Sequence, residues 1–369
     1  MNPFLIKGYK SPQYFCNRLD ESDMLISAIR NNQDITLFGH RRFGKSALIH
    51  HVFQKLKKEY ACVYTDIWGT SNIEDFTKEL VNGIISSKVF AKQKFSDKLV
   101  NLLKSVGASF SIGIDGLPSV DVIINDHNQN FRSLEELFKF LNQLDISILF
   151  AIDEFQEIKK YENQVPFEGK LRALTQQSNN TVFLYSGSEQ HILNEIFNEY
   201  NMPFYQSTRM VSIGKIERNS YYEFITRQFK KAKREANSEI INHILDISHL
   251  HTYYVQAMSN FLYSLNIIPS SISEFEVLYR EFILEKSVFY SELPERLTKQ
   301  QFSVLKGIAK SSVVEYPTSA DFMGLTKTRS SSSMYRVINS LLDKHLIIKE
   351  EGKMRLYDVF LEHYLKFTL

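Results

Sequence analysis

Gly39-His40-Arg41-Arg42-Phe43-Gly44-Lys45-Ser46 sets two glycines, a lysine and a hydroxyl at the spacing G-x-x-x-x-G-K-[ST]. That spacing is the one a loop needs to wrap a di- or triphosphate. Consecutive backbone N–H groups along His40, Arg41, Arg42 and Phe43, continued into the start of a helix at Ser46 and Ala47, make a concave positive site. Gly39 and Gly44 permit backbone angles and a close approach that a Cβ would block. Lys45 is expected to reach the β- and γ-phosphates and the Ser46 hydroxyl to bind Mg²⁺. Arg41 and Arg42 stabilise phosphate charge or contact another domain or subunit, and His40 reads as structural.

A second group of residues complements the first. Asp153 and Glu154 end an apolar run over residues 146–152. Two adjacent carboxylates there suit two tasks: Asp153 holds Mg²⁺, directly or through water, and Glu154 polarises a water for in-line attack. Ser186 and Ser188 end the following apolar run and are candidates to sense a γ-phosphate or to hold that water. Gln156 is a weaker candidate beside the carboxylates. Arg209, at the start of a fifth β-type run, is a candidate to reach the phosphates of its own or a neighbouring nucleotide. His249 and His251 suggest a metal by spacing alone, but no third ligand lies near them in the sequence, so helix-start packing is the better reading.

These residues need a scaffold. Residues 34–38 read as a buried strand and residues 47–56 as a helix, so the glycine loop sits between strand and helix as the motif requires. Residues 61–66, 146–152, 181–188 and 209–213 are further strands, and helical periodicity fills most of the intervals, with helices at 95–106 and 131–144 among them. Alternating strands and helices predict a parallel sheet covered on both faces. Ligands of such sheets sit beyond the carboxyl ends of the strands, where Gly39, Asp153 and Ser186 all fall. Residues 110–124, with Asp115-Gly116 between two alternating arms, read as an inserted β-hairpin. A short N-terminal segment with Tyr14, Phe15 and Arg18 could close over a base or simply pack.

After Glu217 the strand signal fades into four helical segments. From Pro294 a last unit reads helix, helix, helix, strand, turn, strand, helix, the pattern of a winged helix-turn-helix. It carries 12 Lys and Arg against 8 Asp and Glu. Lys327, Arg329 and Arg336 fall on its expected recognition helix, and serines 330–333 could contact phosphates. That balance fits DNA binding, and it equally fits a protein-contact or self-inhibiting module. The domain limits expected are 1–216 for the core, 217–293 for a helical lid and 294–369 for the winged helix.

Composition sets outer bounds. A net charge of +2 decides nothing about nucleic acid, so local charge must. The two cysteines, Cys16 and Cys62, give no zinc spacing and no disulfide framework, which fits a reducing cytoplasm. The first residues have no signal-like apolar region, and no apolar run is long enough to span a membrane. ATP is expected over GTP because no guanine-reading Asn/Thr-Lys-x-Asp element is present.

The chain resembles the prokaryotic P-loop ATPases of the archaeal-type ATPase family, close to the AAA+ and STAND groups. The likeness rests on Phe15-Cys16-Asn17-Arg18, Arg41-Arg42-Phe43-Gly44-Lys45-Ser46, Asp153-Glu154-Phe155-Gln156, Ser186-Gly187-Ser188, Pro203-Phe204-Tyr205 and Tyr253-Tyr254-Val255-Gln256. It implies an α/β AAA+-like core, a helical lid and a C-terminal winged helix. By that match Asp153 binds Mg²⁺, Glu154 is the catalytic carboxylate, and Ser186 or Ser188 takes the sensor position. The family's lid motif commonly carries Pro where this chain has Thr252. The implied activity is a Mg²⁺-dependent ATPase used as a conformational switch, with ATP held between sheet and lid. The alternative is a nucleotide-regulated DNA-binding protein with little hydrolysis.

Overall fold

The computed structural model describes residues 1–87, 102–103, 108–112, 118–122, 127–350 and 352–368. The chain forms two compact units, one of Leu5–Ile216 and one of Glu217–Leu369 together with Met1–Phe4.

The first unit is built on a five-stranded sheet. In chain order its early elements are α1 (Leu19–Arg30), β1 (Ile35–Phe38), α2 (Lys45–Leu56), β2 (Ala61–Asp66) and α3 (Ile73–Ser86). A two-stranded hairpin follows, β3 (Ala108–Ile112) with β4 (Pro118–Val122), then α4 (His127–Asn142) and β5 (Ile148–Asp153). The unit ends with α5 (Gln164–Gln176), β6 (Thr181–Gly187), α6 (Gln190–Asn198) and β7 (Arg209–Ser212). The strand order is β2-β5-β6-β1-β7, and every pairing in this sheet is parallel.

Sequence explains that order. All six residues of β5 and all seven of β6 are buried, as central strands covered on both faces must be. Their side chains divide between two cores. Phe150, Phe183 and Tyr185 face a cluster with Phe138, Phe155 and Phe197, while Leu149, Ala151, Val182 and Leu184 join Leu48, Ile49 and Val52 of α2 on the other face. Each such fully buried side chain is worth about 1.5–3 kcal/mol over its exposed state. The hairpin β3–β4 pairs antiparallel and stays outside the main sheet, as its alternating pattern predicts. The helix expected over 95–106 and the hairpin turn at 113–117 lie outside the described residues, apart from 102–103.

The second unit begins with four helices: α7 (Arg218–Lys231), α8 (Ser238–Ile247), α9 (Thr252–Ser264) and α10 (Ile272–Leu284). Phe4 is buried in it, its ring 5.9 Å from Phe224 and 5.8 Å from Phe229. Asn260 clips the same segment by donating to the Phe4 carbonyl at 2.6 Å. Two short helices, α11 (Ser287–Tyr290) and α12 (Leu293–Arg296), precede the winged fold. That fold comprises α13 (Lys299–Ser311), α14 (Ala320–Thr326), α15 (Ser331–Asp343), the antiparallel pair β8 (Ile347–Glu350) and β9 (Lys353–Leu356), and α16 (Val359–Thr368). Val304, Leu305, Ile308, Met334, Ile338, Leu341 and Leu356 form its core. Thr298 and Gln301 cap α13 reciprocally. Ser330, first of the four serines, caps α15 by accepting from the Ser333 N–H.

Candidate functional site

β1 delivers the chain to the glycine loop, and α2 leaves it at Lys45. At Gly44 the backbone takes a φ of 92°, a left-handed angle that glycine adopts without strain. The Lys45 side chain is buried and turns back onto its own loop, its Nζ donating to the Gly39 carbonyl at 2.9 Å and to His40 at 3.3 Å. Burial lowers its pKa most, opposed by Glu154 and Asp153 and reinforced by Arg41. An ammonium parked on loop carbonyls is poised to exchange them for phosphate oxygens, which repay the lost solvation far better.

β5 carries Asp153 to the same place. The Ser46 hydroxyl donates to Asp153 Oδ2 at 2.6 Å, so the two side chains expected to share a metal are already in contact. Tyr64, from β2, donates its hydroxyl to the same oxygen at 2.6 Å. Ser186, from β6, donates to Asp153 Oδ1, and the Glu154 N–H donates to that oxygen at 3.0 Å. Asp153 therefore sits in a collar of donors from three adjacent elements. An all-oxygen pair of hydroxyl and carboxylate is the donor chemistry Mg²⁺ prefers, so Ser46 and Asp153 fit that ion.

Glu154 adopts a left-handed backbone, φ 55°. Such an angle costs energy in a residue with a Cβ, and it turns the carboxylate away from the strand. Two side chains hold that carboxylate: the Gln156 amide donates to Oε2, and the Ser188 hydroxyl donates to the same oxygen at 3.1 Å. Gln156 is wholly buried, and its Oε1 has no hydrogen-bond partner among the described residues. It reaches Glu154 across Gly187, where a Cβ would lie 2.1 Å from Gln156 Oε1.

Several expectations need revision in this light. Ser186 is buried and donates to Asp153, so it braces that carboxylate; Ser188 is the serine that touches Glu154. Arg209 is not part of the site formed by its own chain. Arg209 pairs with Ile35 and Ser212 with Phe38, so the arginine stands at the end of the sheet opposite the glycine loop, roughly 10 Å of strand away. Parallel strands start at the same end of the sheet, and here Arg209 lies beside Ile35, a placement the run's apolar pattern does not reveal. Arg18 acts as a clamp. Its buried guanidinium donates to Phe43 at 3.2 Å, to Gly214 at 2.7 Å and to Glu21 at 2.7 Å, tying the loop's rear to the chain after β7. Phe15 stacks on His51, ring centroids 4.4 Å apart.

The sequence pattern alone marks neither Tyr64 nor the role of Gly187, and it ranks Gln156 below the carboxylates. Tyr64 reads as one residue of an alternating strand, and only pairing of β2 with β5 brings its hydroxyl to Asp153. Trp68 is a further neighbour: half-exposed after β2, it lies under the guanidinium of Arg41, 5.3 Å from the ring centroid, with the Lys160 ammonium 5.4 Å away. Lys327, Arg329 and Arg336 are all exposed, but only Arg336 is on α15; Lys327 ends α14 in a left-handed turn and Arg329 lies between the helices.

Residues 288–367 match the model of a family described as a probable winged helix domain. Comparison with curated protein sequences gives no match. Among solved structures the chain is similar to a Walker-type ATPase of Pyrococcus abyssi, with 16% identity, a TM-score of 0.66 and 99% of each chain covered. It is also similar to the ORC2 protein of Aeropyrum pernix in ADPNP–ADP complexes, with 13% identity, a TM-score of 0.57, and 100% of this chain and 98% of that one covered. The ORC1 protein of Aeropyrum pernix in complex with DNA gives 10% identity and a TM-score of 0.53, over 99% of this chain and 96% of that one. At such identities the likeness is one of fold: a parallel α/β sheet with a C-terminal winged helix, the architecture expected from the sequence.

Proposed function

We propose that the chain binds ATP with Mg²⁺ at the Gly39–Ser46 loop, hydrolyses it, and uses the cycle as a conformational switch read out through the winged helix. The observation that carries this reading is the contact between Ser46 and Asp153, which joins the phosphate loop after β1 to the carboxylate pair at the end of β5, with β6 between those strands. Lys45 binds the β- and γ-phosphates, with the loop N–H groups cradling the rest. Ser46 and Asp153 hold Mg²⁺, which would supply charge neutralisation for the transferring phosphoryl group. Glu154 orients a water and takes up its proton as the oxygen attacks. Gln156 and Ser188 fix the direction in which that carboxylate points. The test is phosphate release from Mg²⁺-ATP: Lys45→Ala should lose nucleotide binding and turnover together, and Glu154→Gln should keep binding and lose turnover. Turnover unchanged in both variants refutes the reading.

A second reading is favoured by the exposed cations Lys327, Arg329 and Arg336 on the winged helix. In it nucleotide sets conformation and duplex DNA is the partner, as DNA is for the Aeropyrum ORC1 structure. Binding should weaken steeply with salt, and neutralising the three cations should flatten the dependence of log K on log salt by up to about three. Absence of duplex binding at low salt counts against it.

A further inference from the structure

The end of the sheet opposite the phosphate loop carries a polar cavity, of about 510 Å³, that the ATPase reading leaves unused. Its lining includes Asn32, Asp34, Arg172, Ser207, Thr208 and Arg209. They come from the entry to β1, the last turns of α5 and the entry to β7, so three rigid elements position them. The Arg209 N–H donates to the Asp34 carbonyl at 2.8 Å, fixing the two strand entries side by side. At the same end Thr36 and Thr208 pair through their hydroxyls at 2.7 Å. Neither guanidinium donates a hydrogen bond to another described residue, so both forks are available. Arg172 acts on Asp34 through its charge alone, so two guanidiniums with no hydrogen bond to another described residue share one cavity and are suited to paired oxygens of an anion. Asp34 adds a requirement. Its Oδ1 accepts the Phe183 N–H at 2.9 Å, which leaves Oδ2 for a donor, and an anion alone offers none.

We propose that this cavity binds a small hydroxylated oxyanion, a sugar phosphate or a hydroxy acid, with Arg172 and Arg209 on its anionic oxygens and Asp34 on a hydroxyl. The cavity volume lies within the usual range for small-molecule sites, about 300–1,000 Å³. The site is separate from the phosphate loop, because the paired strands β1 and β7 run from one to the other.

Calorimetry on the full chain at fixed ionic strength tests this with three probes: inorganic phosphate, glucose 6-phosphate and citrate. One hydroxylated probe, which identifies phosphate or carboxylate as the anionic group, should bind about tenfold tighter than inorganic phosphate. Arg172→Gln and Arg209→Gln should each weaken it about tenfold. Asp34→Asn should erase the preference over inorganic phosphate, and Lys45→Ala should leave binding within about twofold. The arginines are on the surface, and melting curves matching the parent chain establish that their variants fold. Saturation of no probe below about 10 mM, binding indifferent to both arginine variants, equal affinity for all three probes, or loss of binding in Lys45→Ala overturns the proposal.

Discussion

The carboxylate of Glu154 is held by the amide of Gln156, and Gln156 reaches it only because residue 187 has no side chain. This makes Gly187→Ala a test of position at the centre of the site. The added methyl must displace the buried Gln156, leaving Glu154 with Ser188 alone. Phosphate release should fall about tenfold or more while the affinity for nucleotide stays within about twofold, since a misplaced base costs the chemical step and spares the phosphate cradle. Gln156→Ala at a native Gly187 should give the same kinetic pattern without the steric strain.

Tyr64→Phe should leave the fold intact and loosen Asp153. The lost bond to the Oδ2 of a carboxylate is worth about 1.5–3 kcal/mol, and its removal frees one side of the collar. The expected readout is a changed Mg²⁺ concentration for half-maximal turnover. Ser186→Ala, which removes the donor to Oδ1, should move the same quantity.

Trp68 is the sole tryptophan of the chain, and a loop arginine lies over its ring. Nucleotide that draws Arg41 toward phosphate must change what the indole touches. Its emission should shift on adding ATP, and Lys45→Ala should abolish the response. Arg41→Ala should alter the starting spectrum and shrink the nucleotide-dependent change.

Acid should act on the two units in opposite directions. Burial pushes the Asp34 carboxyl up from 3.8 to about 6, against the Phe183 N–H and Arg172. The folded first unit therefore binds the proton more tightly than the unfolded chain, and its stability rises as pH falls from about 6 toward 4. His363 is the converse: burial lowers it from 6.5 to about 4, and Tyr279 bonds its Nδ1 at 2.6 Å. Stability from the neutral imidazole is complete above 6.5 and drains away as pH falls toward 4. Each effect is on the order of 3 kcal/mol. Melting followed between pH 7 and 4 should show the first unit gaining and the second losing. Asp34→Asn should cancel the gain, and His363→Gln the loss.

The glycine loop, both carboxylates and the strand–helix alternation were legible because each depends on local signals: fixed spacing, apolar runs, caps. The winged helix was legible for the same reason, through three helical periods and a two-strand end. What stayed hidden depends on register. Arg209 reads as a candidate phosphate ligand, but its pairing with Ile35 puts it at the far end of the sheet. Tyr64 and Gly187 looked ordinary because their roles exist only across strands, one through β2 beside β5 and the other through Gln156 lying over β6. Lys327 and Arg329 fall on the expected recognition helix, which in the fold starts after them, at Ser331, where the Ser330 cap sets the boundary.

The position of β1 also dictates when the phosphate loop can come into being during synthesis. Its two neighbours in the sheet are β6 and β7, both encoded far downstream. Until Arg209–Ser212 has left the ribosome, the strand that carries Gly39 has an open edge and the loop has no fixed frame. A nascent chain stopped before that point exposes an apolar strand with unpaired N–H and C=O groups, which is what chaperones recognise and what aggregates. The loop is thus among the first parts of the unit to be made and among the last to become a binding site.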